Sequence, residues 1–263
     1  MSTAGTAPTH ADPRAGSSAA RALRTLVVGC GGLGSPSARV LFGASVLKRL
    51  TLLDDDRVDV SNLHRQTLYS DPDVGRDKVD AAVASLRAEH PASRTELTGV
   101  RARLRPADAE ALLADQDLVV EGADNYATKF LTADAARLRG VPVAHAGAVR
   151  WAGWALLSAA RATEGPCLRC VFEDIPRGRA DTCATAGVMG PVVGVVAALQ
   201  SALVLAYAGG DERAIGTLFH YDALAGKLRR FQARPRPGCP LCAGEITDLR
   251  MERYVPTEQH DAA

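Results

Sequence analysis

The sequence predicts an α/β protein whose doubly wound sheet is mostly parallel. Two observations lead to this prediction: β-rich apolar runs alternate with helical stretches through the first half of the chain, and a glycine-rich loop joins the first run to the first helix. The runs at residues 25–28 and 50–53 have no polar alternation, which is typical of strands covered by helices on both faces. A chain of 263 residues is long enough to form such a core.

Residues 35–42 are predicted to form the helix between these two strands. Next come a helix at 78–89, a strand at 118–120, a helix at 127–139 and a strand at 141–144. The second half of the chain has short predicted strands at 154–158, 217–221 and 228–232 around an uncharged helix near 191–208. We interpret this half as the distal part of the same domain, which spans residues 21–247.

Both ends of the chain are predicted to be tails. Residues 1–20 have almost no large apolar side chains, so they cannot bury enough surface to offset the entropy cost of ordering, and a disordered tail is expected. Residues 248–263 are polar and are predicted to form a C-terminal tail. Because no apolar segment follows a basic one near the N-terminus, we expect a cytoplasmic protein.

Charge and hydropathy argue against two kinds of partner. The chain has 31 Lys and Arg against 30 Asp and Glu, and this net charge of +1 lacks the basic footprint of a nucleic-acid-binding protein. Residues 186–210 carry no charge and exceed the roughly 20 residues that span a bilayer. Glycines and Pro191 interrupt this run and no basic flank accompanies it, so it is interpreted as a helix buried in the core or in an oligomer interface, not in a membrane.

The glycine-rich loop predicts a nucleotide site in a Rossmann-like sheet. Its glycines follow a strand and open a helix, the context in which backbone N–H groups and a helix N-terminus bind phosphate. They are Gly29, Gly31, Gly32 and Gly34. Asp54 ends the next strand 20 residues after Gly34, where a carboxylate can accept hydrogen bonds from ribose hydroxyls. The same loop serves NAD and ATP, and the alternative without a ligand is that the glycines only pack helix on strand.

Residues further along the chain favour ATP. Arg65 and Lys78 add two cations, which suit a reaction that develops charge on a triphosphate. Asp124 and Asn125 follow the strand at 118–120, at the carboxyl edge where open α/β sheets bind ligands, and a carboxylate there can hold Mg²⁺. An NAD-dependent oxidoreductase needs a positioned acid or base beside the nicotinamide, and none is identified. The ordinary interpretation of Arg65 and Lys78 is that they are solvated surface charges, and that of Asp124 is that it caps the next helix.

Four of the six cysteines form two Cys-x-x-Cys pairs, Cys167 with Cys170 and Cys239 with Cys242. The pairs suit a structural, tetrahedral zinc site that ties the distant C-terminal segment onto the domain, and two disulfides are the alternative. Cys30 lies inside the glycine loop and is interpreted as a small apolar filler. A polar stretch contains Cys183, which is either a nucleophile or an unreactive thiol in a loop.

Together these motifs resemble the ThiF/MoeB/HesA family of ubiquitin-activating-enzyme-like adenylyltransferases. The resemblance extends over residues 23–244, including the acidic run at 53–56, the Ser-Asn-Leu-His-Arg-Gln run at 61–66 and residues 187–191. It implies that Asp54 holds the ribose, that Arg65 and Lys78 hold the phosphates and that Asp124 holds Mg²⁺. Further residues that it assigns to the nucleotide site are Asp56, Ser61, Asn62, Leu63, His64 and Asn125. It matches Cys183 with a position that in some members becomes linked to the substrate protein.

The resemblance also implies the activity. A protein or peptide carboxylate attacks the α-phosphate of ATP, and an acyl-adenylate and pyrophosphate form. In this family the acceptor is usually a ubiquitin-like sulfur carrier that ends in Gly-Gly and is activated for conversion to a thiocarboxylate, and the enzyme is expected to be a homodimer. No sulfurtransferase module follows residue 244, so a separate sulfur-donor protein is expected.

Two other functions stay open. The chain either adenylates a peptide or another carboxylate in a specialised pathway, or acts as a non-catalytic adaptor for a ubiquitin-like partner. The family usually begins with an Arg-Tyr-x-Arg-Gln segment whose arginine reaches the ATP of the partner subunit. Here only Arg14, Arg21 and Arg24 precede the first strand, without the Tyr or the Gln, and this departure motivates both alternatives.

Overall fold

The computed structural model describes residues 21–176 and 186–254, which contain one eight-stranded sheet. In chain order the strands are β1 Leu23–Val28, β2 Leu47–Leu53, β3 Glu96–Val100, β4 Leu118–Glu121, β5 Val143–Val149, β6 Ala152–Ser158, β7 Thr217–Asp222 and β8 Lys227–Gln232. Their spatial order is β3-β2-β1-β4-β5-β6-β7-β8. The first five strands pair in parallel and the last three extend the sheet in antiparallel fashion, so the predicted α/β, Rossmann-like sheet is confirmed.

Helices cover both faces of the sheet. They are α1 Gly34–Gly43, α2 Lys78–Glu89, α3 Pro106–Leu113, α4 Tyr126–Arg139, α5 Leu168–Phe172 and α6 Gly190–Ala208. One apolar cluster joins α1, α2 and α6 to one face through Leu41, Leu86 and Val204. A second cluster joins α3 and α4 to the other face through Leu113 and Phe130. Burial on both faces explains why the parallel strands are apolar without alternation.

The strand order reverses between β1 and β4. β1 pairs with β2 on one side and with β4 on the other, while α1 and α4, which follow β1 and β4, lie on opposite faces of the sheet. In an open α/β sheet such a reversal leaves a crevice outside the carboxyl ends of the two strands. The crevice for a ligand therefore results from the backbone topology alone.

The sequence did not predict β3, α3 or α5. β3 is a half-exposed edge strand that contains Gly99, and it lacks the apolar run by which the other parallel strands were recognised. The strand predicted at 141–144 begins instead at Val143 and continues to Val149 through His145 and Gly147. Polar and glycine residues inside a buried strand hide its true length in the sequence.

The uncharged segment forms α6, and α6 is the one helix within 21–176 and 186–254 that is long and apolar enough to cross a membrane. It packs against β5, β6 and α1, with Val196, Gln200 and Val204 buried completely. Ser37 of α1 donates a hydrogen bond to Gln200 Oε1 (2.8 Å), and such a polar contact ties the helix into the protein core.

Residues 248–254 differ from the expected polar tail. Residues 251–254 form a short 3₁₀ helix, and the hydroxyl of Tyr254 donates to Asp134 Oδ2 on α4 (2.9 Å). Asp134 also accepts from the guanidinium of Arg169 on α5 at 2.8 and 2.9 Å, and all three side chains are buried. A single tyrosine at the end of a polar run gave no periodic signal. The other predicted tail residues, 1–20 and 255–263, lie outside the described ranges.

We expect Tyr254→Phe to lower the free energy of unfolding by about 1–2 kcal/mol, because it removes a buried hydrogen bond to a charged acceptor. Urea denaturation of the purified protein measures the change. Leu224→Ala is the control, since Leu224 is 72% exposed and its loss should have little effect. An unchanged midpoint for Tyr254→Phe would show that the hydrogen bond from Tyr254 to Asp134 does not stabilise the domain.

Candidate active site

A cleft of about 510 Å³ opens at the carboxyl ends of β1, β2, β4 and β5. Most of the residues predicted to bind the nucleotide line it. They are Gly29, Gly31, Gly32, Asp54, Asp56, Asn62, Arg65, Lys78, Asp124 and Asn125. Residues from five separate segments of the sequence therefore meet at one place, where the strand order reverses.

Close backbone contacts shape the glycine loop. Gly29 has a φ of +85°, and a Cβ on it would lie 3.1 Å from the backbone nitrogen of Ala123. A Cβ on Gly34 would lie 1.8 Å from the carbonyl oxygen of Gly29, so only glycine fits where α1 begins. No side chain caps the N-terminus of α1. The loop and this helix end can therefore present backbone N–H groups to a phosphate.

Asp54 joins the glycine loop to the end of β2. Its carboxylate accepts hydrogen bonds from the backbone N–H groups of Cys30 (2.6 Å) and Asp56 (2.8 Å). Burial raises the pKa of Asp54, and the neighbouring ammonium of Lys78 opposes that rise. A carboxylate has about four acceptor positions, so two remain for the hydroxyls of a ligand.

Two cations reach the cleft from different elements. Lys78 begins α2, and its Nζ donates to Asp56 Oδ2 (2.7 Å), which is exposed to solvent. Arg65 lies over Gly32, where a Cβ would be 3.5 Å from the arginine Cδ, and donates to the side-chain oxygen of Asn62. Within the described ranges Arg65 makes no ion pair with a carboxylate, so its charge is available to an anionic ligand.

Asp124 and Asn125 have different roles. Asn125 Oδ1 accepts from the backbone N–H of Thr128 (2.8 Å) and caps α4, so the cap that was the ordinary interpretation of Asp124 is supplied by its neighbour. Asp124 is exposed at the cleft and has no cationic partner among the residues that the structure describes. Its carboxylate is thus an oxygen ligand that a divalent cation can use.

The other predicted residues either do not line the cleft or fall outside the described ranges. Ser61 donates to Asp59, Leu63 packs against the core, and His64 Nδ1 lies 2.9 Å from the carbonyl oxygen of Ser61. Gly34 acts through packing and does not line the cleft. Cys183 falls in 177–185, outside the residues that the structure describes.

Two of the arginines before or at the start of the first strand lie away from the cleft. Arg24 binds Asp117 Oδ1 (2.8 Å) and Asp115 at the amino end of β1. The guanidinium of Arg21 lies over the ring of Tyr207 at 5.6 Å. Both therefore lie at the end of the sheet opposite the carboxyl edge, and Arg14 is outside the described ranges.

Sequence reasoning missed a buried charged group beside the site. Glu121 ends β4 with no exposed surface, and both of its carboxylate oxygens accept from Lys129 Nζ of α4, at 2.9 and 3.1 Å. His145 Nδ1 lies 3.6 Å from the same carboxylate, and burial lowers the pKa of this imidazole. The available signal was a charged residue within an apolar strand, which rarely occurs without a buried partner.

An aromatic wall completes the cleft. Trp154 of β6 lies opposite Gly147 of β5, and a Cβ on Gly147 would be 2.7 Å from the indole nitrogen. The indole also contacts Phe172 of α5, with ring centroids 4.5 Å apart. Since Phe172 lies just after the first cysteine pair, the cysteine cluster supports this wall.

The four paired cysteines come together at the N-terminal part of α5, which Cys167 precedes and which contains Cys170. Their sulfur atoms lie 3.5–3.7 Å apart in the four contacts that the structure shows between Cys167, Cys170, Cys239 and Cys242. A disulfide has an S–S bond of about 2.05 Å, so the alternative of two disulfides is not supported. Tetrahedral thiolates at about 2.3 Å from a metal ion lie about 3.8 Å apart, which matches the cluster. The guanidinium of Arg137 donates to Cys242 Sγ (3.1 Å) and stabilises a thiolate there.

We expect Gly34→Ala to lower the free energy of unfolding by about 3 kcal/mol or more, because the added methyl group collides with the Gly29 carbonyl. Thermal or urea unfolding of the free protein measures this effect. Gly31→Ala is the matched control in the same loop: its Cβ would meet only Gln66 Nε2, at 3.6 Å, and a change below about 1 kcal/mol is expected. Equal stability of the two variants would contradict the close packing of the loop.

Comparison with known proteins gives the family. The sequence model of the ThiF family matches residues 10–241. The chain is 34% identical over 235 residues to the SAMP-activating enzyme E1 of Haloferax volcanii, covering 88% of this chain and 85% of that protein. It is 38% identical over 234 residues to the sulfur carrier protein adenylyltransferase of Thermus thermophilus, with 87% and 85% covered.

Two further similarities are partial. The chain is 41% identical over 232 residues to the adenylyltransferase and sulfurtransferase MOCS3 of Sus scrofa, but spans only 50% of its length. The crystal structure of Escherichia coli MccB with ATP superposes with a TM-score of 0.72 over 85% of this chain and 67% of that chain, at 19% identity, which supports the fold alone. The extent of the family match and the identity to near-full-length relatives show that the chain belongs to the ThiF family.

Proposed function

We propose that the chain is an ATP-dependent adenylyltransferase that activates the C-terminal carboxylate of a ubiquitin-like sulfur-carrier protein. The observation that carries this proposal is that Arg65, Lys78 and Asp124 line one cleft together with the glycine loop. The substrate class comes from relatives named for SAMP activation and for sulfur-carrier adenylation, each covered over 85% of its length.

In the proposed reaction a carboxylate oxygen of the carrier attacks the α-phosphorus of ATP. The new bond joins that oxygen to phosphorus, and the bond from the α-phosphorus to the oxygen bridging to the β-phosphate breaks. Pyrophosphate leaves with the electron pair, and the carrier becomes an acyl-adenylate. Since charge builds up on phosphate oxygens, positioned cations contribute more here than a general base.

The described residues divide this work between them. The carboxylate of Asp54 accepts hydrogen bonds from the ribose hydroxyls at its two remaining acceptor positions. The glycine loop binds phosphate with its backbone N–H groups. Arg65 offers a guanidinium that no carboxylate neutralises in the described ranges, and phosphate oxygens compete with the exposed Asp56 for Lys78. Asp124 would hold Mg²⁺, which when bound neutralises phosphate charge.

Cys183 stays a proposed reactive thiol: its sulfur attacks the carbonyl carbon of the acyl-adenylate and forms a thioester, while AMP leaves with the electron pair of the broken C–O bond and the thiol proton goes to solvent. The sulfur atom of the thiocarboxylate comes, in this proposal, from another protein. Of the five cysteines in the described ranges, Cys30 is buried and the other four form the cluster, so none of these five is an exposed single thiol that would take the role proposed for Cys183.

The proposed homodimer has a suitable surface on α6. Its solvent face carries only uncharged residues, among them Pro191, Val195, Ala198 and Ala202. Val40 on α1, the helix that packs against α6, is also 44% exposed. An apolar helix face of this kind is typical of an interface between subunits.

We further propose that the cysteine cluster holds a structural Zn²⁺. Four sulfur ligands at tetrahedral spacing leave no open coordination position, which favours a structural role over a catalytic one. Burial raises the pKa of the Cys167 thiol, so a bound cation is needed to favour its thiolate. The ion would join α5 to residues 239–242 and so support the aromatic wall of the cleft.

Carrier-dependent exchange of pyrophosphate into ATP tests the function. We expect exchange with Gly-Gly-ending carrier proteins, and at least a hundredfold loss in Lys78→Ala because a phosphate-binding cation is removed. Lys48→Ala is the control, since Lys48 is exposed near the amino end of β2. Exchange with a short peptide alone would instead support the peptide-activating alternative, and carrier binding without any exchange would support the adaptor.

Elemental analysis tests the metal. We expect a single zinc ion per chain, lost in Cys239→Ser together with a lower melting temperature, because structural zinc contributes directly to folding stability. Cys30→Ala should keep the zinc, since Cys30 lies in the glycine loop and not in the cluster. Full zinc occupancy in Cys239→Ser would refute the four-sulfur site.

Cys183→Ala tests the proposed thiol. We expect pyrophosphate exchange to stay unchanged, because adenylation precedes any step at sulfur, while formation of the thiocarboxylate falls. Mass spectrometry of the carrier after reaction with ATP and a sulfur donor measures the product. An unchanged thiocarboxylate yield would remove Cys183 from the mechanism.

A further inference from the structure

The ammonium of Lys129 has no hydrogen left for a ligand. Its Nζ donates to both carboxylate oxygens of Glu121 and to the carbonyl oxygen of Ala146. An ammonium carries three N–H donors, so these three acceptors use all of them. Although Lys129 lies at the wall of the cleft, it is therefore bound within the protein and cannot act as a third phosphate-binding cation.

Glu121 links this ion pair to the backbone that follows β4. Its Oε1 also accepts a hydrogen bond from the backbone N–H of Ala123 (2.7 Å), the residue immediately before Asp124. The carboxylate thus folds back over the turn that follows β4. The start of α1 also lies close to this turn, since a Cβ on Gly122 would lie 2.6 Å from the nitrogen of Gly34.

The backbone of Glu121 is also held. Gln200 of α6 donates its side-chain N–H groups to the carbonyl oxygens of Glu121 (2.8 Å) and Ala144 (2.7 Å). The end of β4 is therefore bound by α4, α6 and its own carboxylate. These contacts hold the backbone of Glu121 and Ala123, the residues that lead to Asp124.

Stability alone does not explain a charged pair at this position. Removing two charges from water has a large desolvation cost, and apolar residues of similar volume are often as stable or more stable. A Leu and Met pair would fill the same space but could not accept the hydrogen bond from Ala123. What the charged pair adds is an oxygen acceptor at a fixed place, next to the turn.

We propose that the buried Glu121–Lys129 pair is a positioning device that sets the Ala123–Asp124 turn, so that the carboxylate of Asp124 can bind the divalent cation of the nucleotide. The role of Asp124 rests on the proposed function. Lys129 fixes the position of the Glu121 carboxylate, and this carboxylate fixes the amide of Ala123. The position of the next residue, Asp124, is set as a result. Groups that orient a metal ligand typically change metal affinity by about 10–100-fold when they are lost.

Two double variants isolate the hydrogen bond to Ala123. E121L/K129M replaces the pair with apolar side chains and removes the acceptor. E121Q/K129M is equally uncharged but keeps a side-chain oxygen for the Ala123 amide. If the pair were needed only for packing or for charge balance, the two variants would behave alike.

The readout is the dissociation constant of Mn²⁺ measured by electron paramagnetic resonance in the presence of a non-hydrolysable ATP analogue. We expect a weakening of about tenfold or more in E121L/K129M and affinity restored to within about threefold of the wild type in E121Q/K129M. In the background Asp124→Asn, E121L/K129M should cause no additional weakening, because both changes act through the same ligand. Should Leu at position 121 prevent folding, E121M/K129M replaces it in the same comparison.

Equal Mn²⁺ affinity of the acceptor-free and the oxygen-keeping variants, whether near the wild type or below it, would overturn the inference. The binding experiment needs no carrier protein, so it is independent of the activity assay. Absence of exchange in the wild type would refute the proposed function without changing the comparison of the two variants. Wild-type exchange with equal Mn²⁺ affinities would refute only the positioning role.

Discussion

The structure depends on the close backbone contact between the glycine loop after β1 and the turn after β4. A Cβ on Gly122 would lie 2.6 Å from the Gly34 nitrogen, and one on Gly29 would lie 3.1 Å from the Ala123 nitrogen. Within the loop itself, a Cβ on Gly34 would lie 1.8 Å from the Gly29 oxygen. These segments can approach so closely only because none of the three positions has a side chain. The approach brings the N-terminus of α1 beside Asp124, so a phosphate-binding helix end and a candidate cation ligand share one crevice.

Buried charges reinforce this arrangement at two places in the fold. Glu121 and Lys129 lie at the end of β4, beneath the turn that carries Asp124. The ion pair between Asp134 and Arg169 joins α4 to α5, and Arg169 lies between the two cysteines of the first pair in sequence. The hydroxyl of Tyr254 donates to the same Asp134 and so holds the C-terminal segment against α4. In both places a carboxylate fixes a backbone or side-chain direction that apolar packing would leave undetermined.

The sequence predicted the parts of the site whose signal is local. Glycines between a strand and a helix, an aspartate at the end of β2 and paired cysteines each identify themselves by spacing, and the structure brings Gly29, Asp54 and Lys78 into one cleft. What it could not predict depends on long-range packing. Glu121 and Lys129 are eight residues apart on different elements, and His145 belongs to a strand whose neighbours are known only in the fold. β3 was missed because it is an edge strand that pairs with β2 alone, is half-exposed and carries no apolar run.

Transfer of oxygen from the carrier to AMP tests the central claim most directly. A carrier labelled with ¹⁸O in both carboxylate oxygens is incubated with ATP, Mg²⁺ and the enzyme, and hydroxylamine is added to cleave any acyl-adenylate at its carbonyl carbon. The proposed attack of carboxylate on the α-phosphorus predicts AMP with a single ¹⁸O atom and unlabelled pyrophosphate. Unlabelled AMP, or label in inorganic phosphate together with ADP, would contradict it.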